Sequence, residues 1–158
     1  MTSFPALMKA LVDAGVQFII VGGAAATAHG SARLTQDLDV VYARDRQNLD
    51  RVVAAMSSQH IYLRGAPPGL PFSFDRKTLE RGLNFTLTSD LGDIDLLGEI
   101  VGGGGYESLI SHTVELELFG YRCRCLDLDT LIRVKRASGR PKDLEVIAEL
   151  ISIRDAQR

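Results

Sequence analysis

Two short segments set the strongest constraint on how this chain folds: Asp37-Leu38-Asp39-Val40-Val41-Tyr42 and Asp93-Ile94-Asp95-Leu96-Leu97. Each alternates carboxylate and apolar side chains. A period of two is strand geometry, with successive side chains on opposite faces. Asp37 and Asp39 therefore share a face, while Leu38 and Val40 point the other way, into a core. Asp93 and Asp95 repeat the arrangement. Residues 84–88, Asn-Phe-Thr-Leu-Thr, alternate too, and Ser89-Asp90-Leu91-Gly92 predicts a hairpin loop joining the two runs. In that register Thr86 faces Asp95 and Thr88 faces Asp93, while Phe85 and Leu87 face Leu96 and Ile94. The expected strand pair has one apolar face and one carboxylate face. If it lies beside 37–42, three or four carboxylates converge.

The other segments supply what such a sheet packs against. Leu7, Leu11 and Val12 predict a helix over 4–14 that stops at Gly15. Val16 to Val21 reads as a short strand, broken by Gly22-Gly23, and Ala24 to His29 starts a second helix. Asp45 is a natural N-cap for a helix over 46–57, with Leu49, Val52, Val53 and Met56 as its stripe. Residues 64–74 are a Pro- and Gly-rich loop, either a lid or a surface excursion. A short helix is expected over 77–81. Gly102 to Gly105 form a joint, lacking the Lys-Ser/Thr of a phosphate loop. Residues 114–118 and 121–125 predict a hairpin around Phe119-Gly120, placing Glu115 opposite Arg124 and Glu117 opposite Arg122. Two helices, over 129–137 and 141–154, close the chain. The sum is a mixed α+β fold, a mixed β-sheet with helices packed on it, as a single domain over 1–158.

Composition narrows the class. With 46% apolar and 24% charged residues in 158 positions, the chain can bury a core unaided, which excludes disorder and disulfide scaffolds. The net charge of −2 excludes a generic DNA-coating protein. Cys123 and Cys125 are too close along one strand to bridge each other and read as packed apolar residues; three scattered His give no zinc pattern. The 19 positions from Ala14 to Ala32 carry no charge, but they include Gln17, Thr27, His29, Ser31 and four glycines, so a strand, a turn and a helix start suit them better than a membrane span. The N-terminus lacks the basic and apolar blocks of a signal peptide, so a cytoplasmic location with no membrane partner is expected.

Chemistry concentrates between Val21 and Val41. Two adjacent carboxylates repel, and a fold keeps them together when something positive sits between. Hard oxygen donors at this spacing suit Mg²⁺, which takes one or two carboxylates plus substrate phosphates. Gly22-Gly23 lets backbone come close to a ligand where a helix begins, and N–H groups there favour phosphate. Charge is also segregated. Between Arg122 and Lys142 there are seven basic and two acidic residues, leaving the rest of the chain at −7. A basic wall facing a carboxylate cluster suits a polyanionic substrate.

These residues resemble the signature of the DNA polymerase β-type nucleotidyltransferase superfamily: hydrophobic-Gly-Gly/Ser, a spacer, then Asp-hydrophobic-Asp. Here it reads Val21-Gly22-Gly23, thirteen residues, then Asp37-Leu38-Asp39-Val40. The tail K-R-A-S-G-R-P-K-D resembles small bacterial members related to the AbiEii-type toxins, matching at Lys135, Arg140, Lys142 and Asp143. Val146 stands where many relatives carry a further Asp. The resemblance implies a minimal nucleotidyltransferase fold and a two-metal transfer of NMP from an NTP to a protein, RNA (such as a tRNA end) or small-molecule acceptor, with Mg²⁺ or Mn²⁺ as cofactor. It implies Asp37, Asp39 and a third carboxylate as metal ligands, with Asp95 matching best and Asp93 its rival. It implies Gly22 and Gly23 on the phosphates, with Arg33, Lys135 and Lys142 offsetting their charge. It also suggests a toxin–antitoxin or defence role with an antitoxin partner chain. From the residues alone, Arg33 equally anchors the 30–36 loop to a carboxylate, and Asp143 charges the start of the last helix. A catalytically silent nucleotide- or partner-binding module of the same fold is the alternative.

Overall fold

A computed structural model describes residues 2–158. In chain order the elements are α1 Phe4–Asp13, β1 Phe18–Val21, α2 Gly22–Ala28, β2 Asp37–Tyr42, α3 Arg46–Met56, β3 Tyr62–Leu63, α4 Arg76–Arg81, β4 Asn84–Ser89 and β5 Gly92–Leu97. There follow β6 Glu99–Ile100, β7 Gly104–Gly105, α5 Tyr106–Leu109, β8 Thr113–Leu118, β9 Tyr121–Leu126, α6 Leu128–Ser138 and α7 Pro141–Ala156. Seven strands form one mixed sheet in the order β3-β4-β5-β2-β1-β9-β8. β1 runs antiparallel to β2, whereas β2–β5 and β1–β9 are parallel.

The alternation that predicted the strands sets their faces. Leu38, Val40, Ile94 and Leu96 are fully buried. Their neighbours Asp37, Asp39, Asp93 and Asp95 stay on the opposite, partly open face. The β4–β5 hairpin has the expected register, Thr86 opposite Asp95 and Thr88 opposite Asp93. Its turn is tighter than expected, with Ser89 and Gly92 as the closing pair and Gly92 at φ +122°. The β8–β9 hairpin also pairs Glu115 with Arg124 and Glu117 with Arg122. Glu115, however, draws both guanidinium groups, at 3.4 Å from Arg122 and 3.9 Å from Arg124.

Several expectations are corrected. In α1 the core residues are Leu7, Met8 and Leu11, and Val12 turns outward. Helical spacing admits either face, and docking against α3 selects the one that buries Met8. The charge-free run, by contrast, resolves as expected into a strand and a helix start, β1 and α2, and no helix among the described residues is long and apolar enough to cross a membrane. Gly22 and Gly23 are not a linker before α2 but its first two residues. The joint at 102–105 contains a strand, β7, that pairs with β6.

Asn48, inside the α3 stripe, is fully buried and satisfies three backbone groups. Its amide donates to Gln17 O at 3.0 Å and Ala43 O at 2.7 Å, and its Oδ1 accepts from Gln17 N at 2.7 Å. These bonds tie α3 to the entry of β1 and the exit of β2. Asn48→Ala is expected to destabilise the fold by about 2 kcal/mol, because buried backbone groups lose their partners. Urea denaturation measures this. A loss below about 0.5 kcal/mol, the size of an ordinary surface change, would show that water replaces the amide.

Candidate active site

The parallel register of β2 and β5 places Asp39 beside Asp95 and Asp37 beside Asp93. One oxygen each from Asp37, Asp39 and Asp95 lies within 4.8 Å of the others, and Asp93 stands outside that group. Burial comes first in setting the electrostatics. It pushes the Asp39 carboxyl up to about 8, helped by the charges of Asp37 and Asp95 and opposed by Lys135. Asp37 is raised as well, by burial and the Asp95 charge, with Arg64 pulling it back. Asp39 Oδ1 is buried and has no hydrogen-bond partner. Crowded carboxylates, an orphaned buried oxygen and raised pKa values all fit a bound divalent cation, which would supply the missing positive charge.

Gly22 is required where it stands. Its φ is +62°, and a Cβ there would sit 2.2 Å from Asp39 Oδ2. A Cβ at Gly23 would meet Thr35 Oγ1 at 2.7 Å. The glycines thus let the start of α2 close onto the carboxylate and the loop that precedes it. These residues face a cleft of about 650 Å³, lined also by Arg33, Asp95, Lys135, Arg140, Lys142 and Val146. Every residue expected at the site lines this one cleft.

The cations differ in their engagements. Lys135, on α6, is nearly buried, with Nζ 3.8 Å from Asp143 Oδ1. Burial pulls its pKa down, while Asp143 and Asp39 push it back. Asp143 sits in the first turn of α7, as expected, but it also anchors this group. Burial works to raise its pKa, yet hydrogen bonds from Ser138 at 2.5 Å and Arg140 at 2.8 Å hold it below the usual range. Arg33 takes the anchoring role, 3.4 Å from Glu145 and 4.0 Å from Glu149. Glu149 also accepts from Ser31 Oγ at 2.5 Å and Ala32 N at 3.1 Å, so α7 holds the 30–36 loop at the cleft. Lys142 is exposed at its rim.

Arg64 was not singled out by the sequence. It follows the two-residue strand β3 and reaches over the acidic face. Nη2 donates to Asp95 Oδ1 at 2.7 Å, and the guanidinium lies 3.5 Å from both Asp37 and Asp93. The carboxylate repulsion itself was the available signal, since it calls for a cation, but nothing local in the sequence says which one. A second, more apolar cleft of about 380 Å³ shares Gly22, Asp39, Lys135, Arg140 and Asp143 with the first and is walled by Leu97, Ile100, Val101, Leu131 and Val134.

The mixed sheet with helices packed on it is the architecture expected of the nucleotidyltransferase class. A solved Thermotoga maritima protein, described as "a putative nucleotidyltransferase", has a similar fold, with a TM-score of 0.55 and 15% identity over 92% of this chain and 91% of that one. The likeness is one of fold and does not single out the AbiEii-type toxins. No protein-family model matches the chain, and no curated protein sequence does.

Proposed function

We propose that this chain is a metal-dependent nucleotidyltransferase that moves NMP from an NTP to an acceptor hydroxyl. The observation that carries the reading is the convergence of Asp37, Asp39 and Asp95 in a cleft whose other walls present Gly22, Gly23, Lys135, Arg140 and Lys142. Asp37, Asp39 and Asp95 would hold Mg²⁺ or Mn²⁺, which when bound would supply Lewis-acid stabilisation of charge on phosphate oxygens and a lowered pKa for an attacking hydroxyl. Gly22 and Gly23 offer close backbone approach to the phosphates. Lys135, fixed by Asp143, offsets their charge from a low-dielectric wall, where a charge acts more strongly than in water. Arg140 and Lys142 extend that wall toward solvent, and Arg33 holds the loop that forms its other side. The contribution is positioning and electrostatics, with no covalent intermediate.

One observation favours the alternative of a silent binding module: Arg64 already neutralises part of the acidic face without a metal. A single experiment separates the two. The chain is incubated with Mg²⁺ or Mn²⁺, each labelled NTP, and a mixture of cell protein and RNA, beside an Asp37→Ala/Asp39→Ala variant. Label transferred by the native chain and absent from the variant is the expected result. Nucleotide binding without transfer in any mixture would establish the silent module.

A further inference from the structure

We propose that Arg64 is a resident counter-cation of the acidic face, and that a divalent cation entering at Asp37 and Asp95 must displace its guanidinium. This inference rests on the metal-binding reading of Asp37, Asp39 and Asp95.

A single guanidinium serves three of the four carboxylates, at 2.7 Å from Asp95 and 3.5 Å from Asp37 and Asp93. Asp37 and Asp95 belong to the oxygen group that suits a metal ion. A cation held by those carboxylates would stand close to the guanidinium, and the two positive groups repel in a partly buried place. The carboxylate that Arg64 does not reach, Asp39, keeps an orphaned oxygen. The resting neutralisation is therefore incomplete, and the face retains an unmet demand for positive charge.

The guanidinium is held but not locked. Nη2 donates to Leu87 O at 2.8 Å as well as to Asp95, while Nε is buried without a hydrogen-bond partner. The backbone of Arg64 is fixed, with its N–H donating to Thr86 O at 2.9 Å on the neighbouring strand β4. Displacement thus requires a change in side-chain torsions, not a break in the sheet. Beyond it lies a segment, 65–75, with no helix or strand. Gly65 and Gly69 there have φ of +80° and +90°, and a Cβ added at either would meet no atom within 4 Å.

The test reads metal binding directly, with no nucleotide present. Mn²⁺ affinity is measured by titration calorimetry and by the loss of the free-ion paramagnetic resonance signal, for the native chain, Arg64→Gln and Arg64→Lys. Removing a competitor that occupies the site about nine-tenths of the time tightens apparent affinity about tenfold, so Arg64→Gln is expected to bind Mn²⁺ about tenfold more tightly. Arg64→Lys, which keeps the charge but loses the planar fork, is expected to fall between. In the native chain, the side-chain Nε–H resonance of Arg64 is expected to move toward that of free arginine on adding Mg²⁺, a reading that needs no folded variant. Equal or weaker Mn²⁺ binding by Arg64→Gln, or an Arg64 resonance that Mg²⁺ leaves in place, would show that Arg64 orients Asp95 and overturn displacement alone. No Mn²⁺ binding by any of the three chains would overturn the metal reading with it.

Discussion

Asp39→Asn is expected to lower nucleotidyl transfer about a thousandfold while making the cation-free fold more stable at alkaline pH. The two effects have one cause. Asp39 is a carboxylate in a partly buried place beside two others, and its pKa is pushed up to about 8. In the unfolded chain an Asp titrates near its ordinary value, roughly 4. The folded state therefore holds a proton on Asp39 that the unfolded state releases. The stability tied to that proton is fully present below about pH 4 and is lost as pH rises through about 8. Asn carries no charge at any of these pH values, so the variant does not share that loss. With chelator present, the melting temperature of Asp39→Asn minus that of the native chain is expected to grow from pH 4 to pH 8. Taking the difference cancels groups that titrate alike in both proteins. The same substitution removes one anionic oxygen donor from the proposed metal site. Losing about 4 kcal/mol of transition-state stabilisation is close to a thousandfold in rate. Rates come from labelled-NTP transfer and stabilities from thermal melts. A variant as active as the native chain, or a melting difference flat across pH, would remove Asp39 from the role given to it.

Much of this site was legible because its determinants are local. Asp37 and Asp39 alternate with Leu38 and Val40, and that period alone sets which face each occupies. Thr86 and Thr88 find Asp95 and Asp93 because a short turn fixes a hairpin's register. What local pattern could not supply came from contacts between distant segments. Preference for Asp95 over Asp93 in the oxygen group follows the pairing of β5 with β2, strands separated by two helices and two other strands. Arg64 lies in a turn-forming stretch with no periodicity, and its importance comes from a reach across β4 to β5 and β2. Arg33 left two readings open because a guanidinium suits phosphate and carboxylate equally; the docking of α7 brings Glu145 and Glu149 to it. Met8 and Val12 exchange places for the same reason, since the buried face of α1 is chosen by its neighbours. Asn48 was not singled out by the sequence, because its role lies in strand ends that only the fold brings together, Gln17 and Ala43.

Gly22→Ala is expected to cost about 3 kcal/mol in the native background and about 1 kcal/mol when Asp39 is also Ala. Two penalties act at this position. The first is conformational: φ is +62°, and an L residue in that region costs roughly 1–2 kcal/mol. The second is steric: the added methyl would lie 2.2 Å from Asp39 Oδ2 and 3.0 Å from Asp39 Cγ. Forcing an extra methyl into packed surroundings costs about 1–3 kcal/mol. Asp39→Ala removes the carboxylate and leaves only the backbone penalty with a tight Cβ contact at 3.1 Å. The difference between backgrounds is thus a coupling energy between the two residues, measurable by urea denaturation of the four proteins under chelator. In Gly22→Ala alone, Asp39 must shift to relieve the clash, so Mn²⁺ affinity is expected to fall along with stability. Gly23→Ala provides a contrast: its Cβ would meet Thr35 at 2.7 Å, so its cost is expected to be unchanged by Asp39→Ala. An equal cost of Gly22→Ala in both backgrounds would show that the carboxylate gives way freely. The start of α2 would then not fix Asp39, and the acidic group would depend on the β2–β5 register alone.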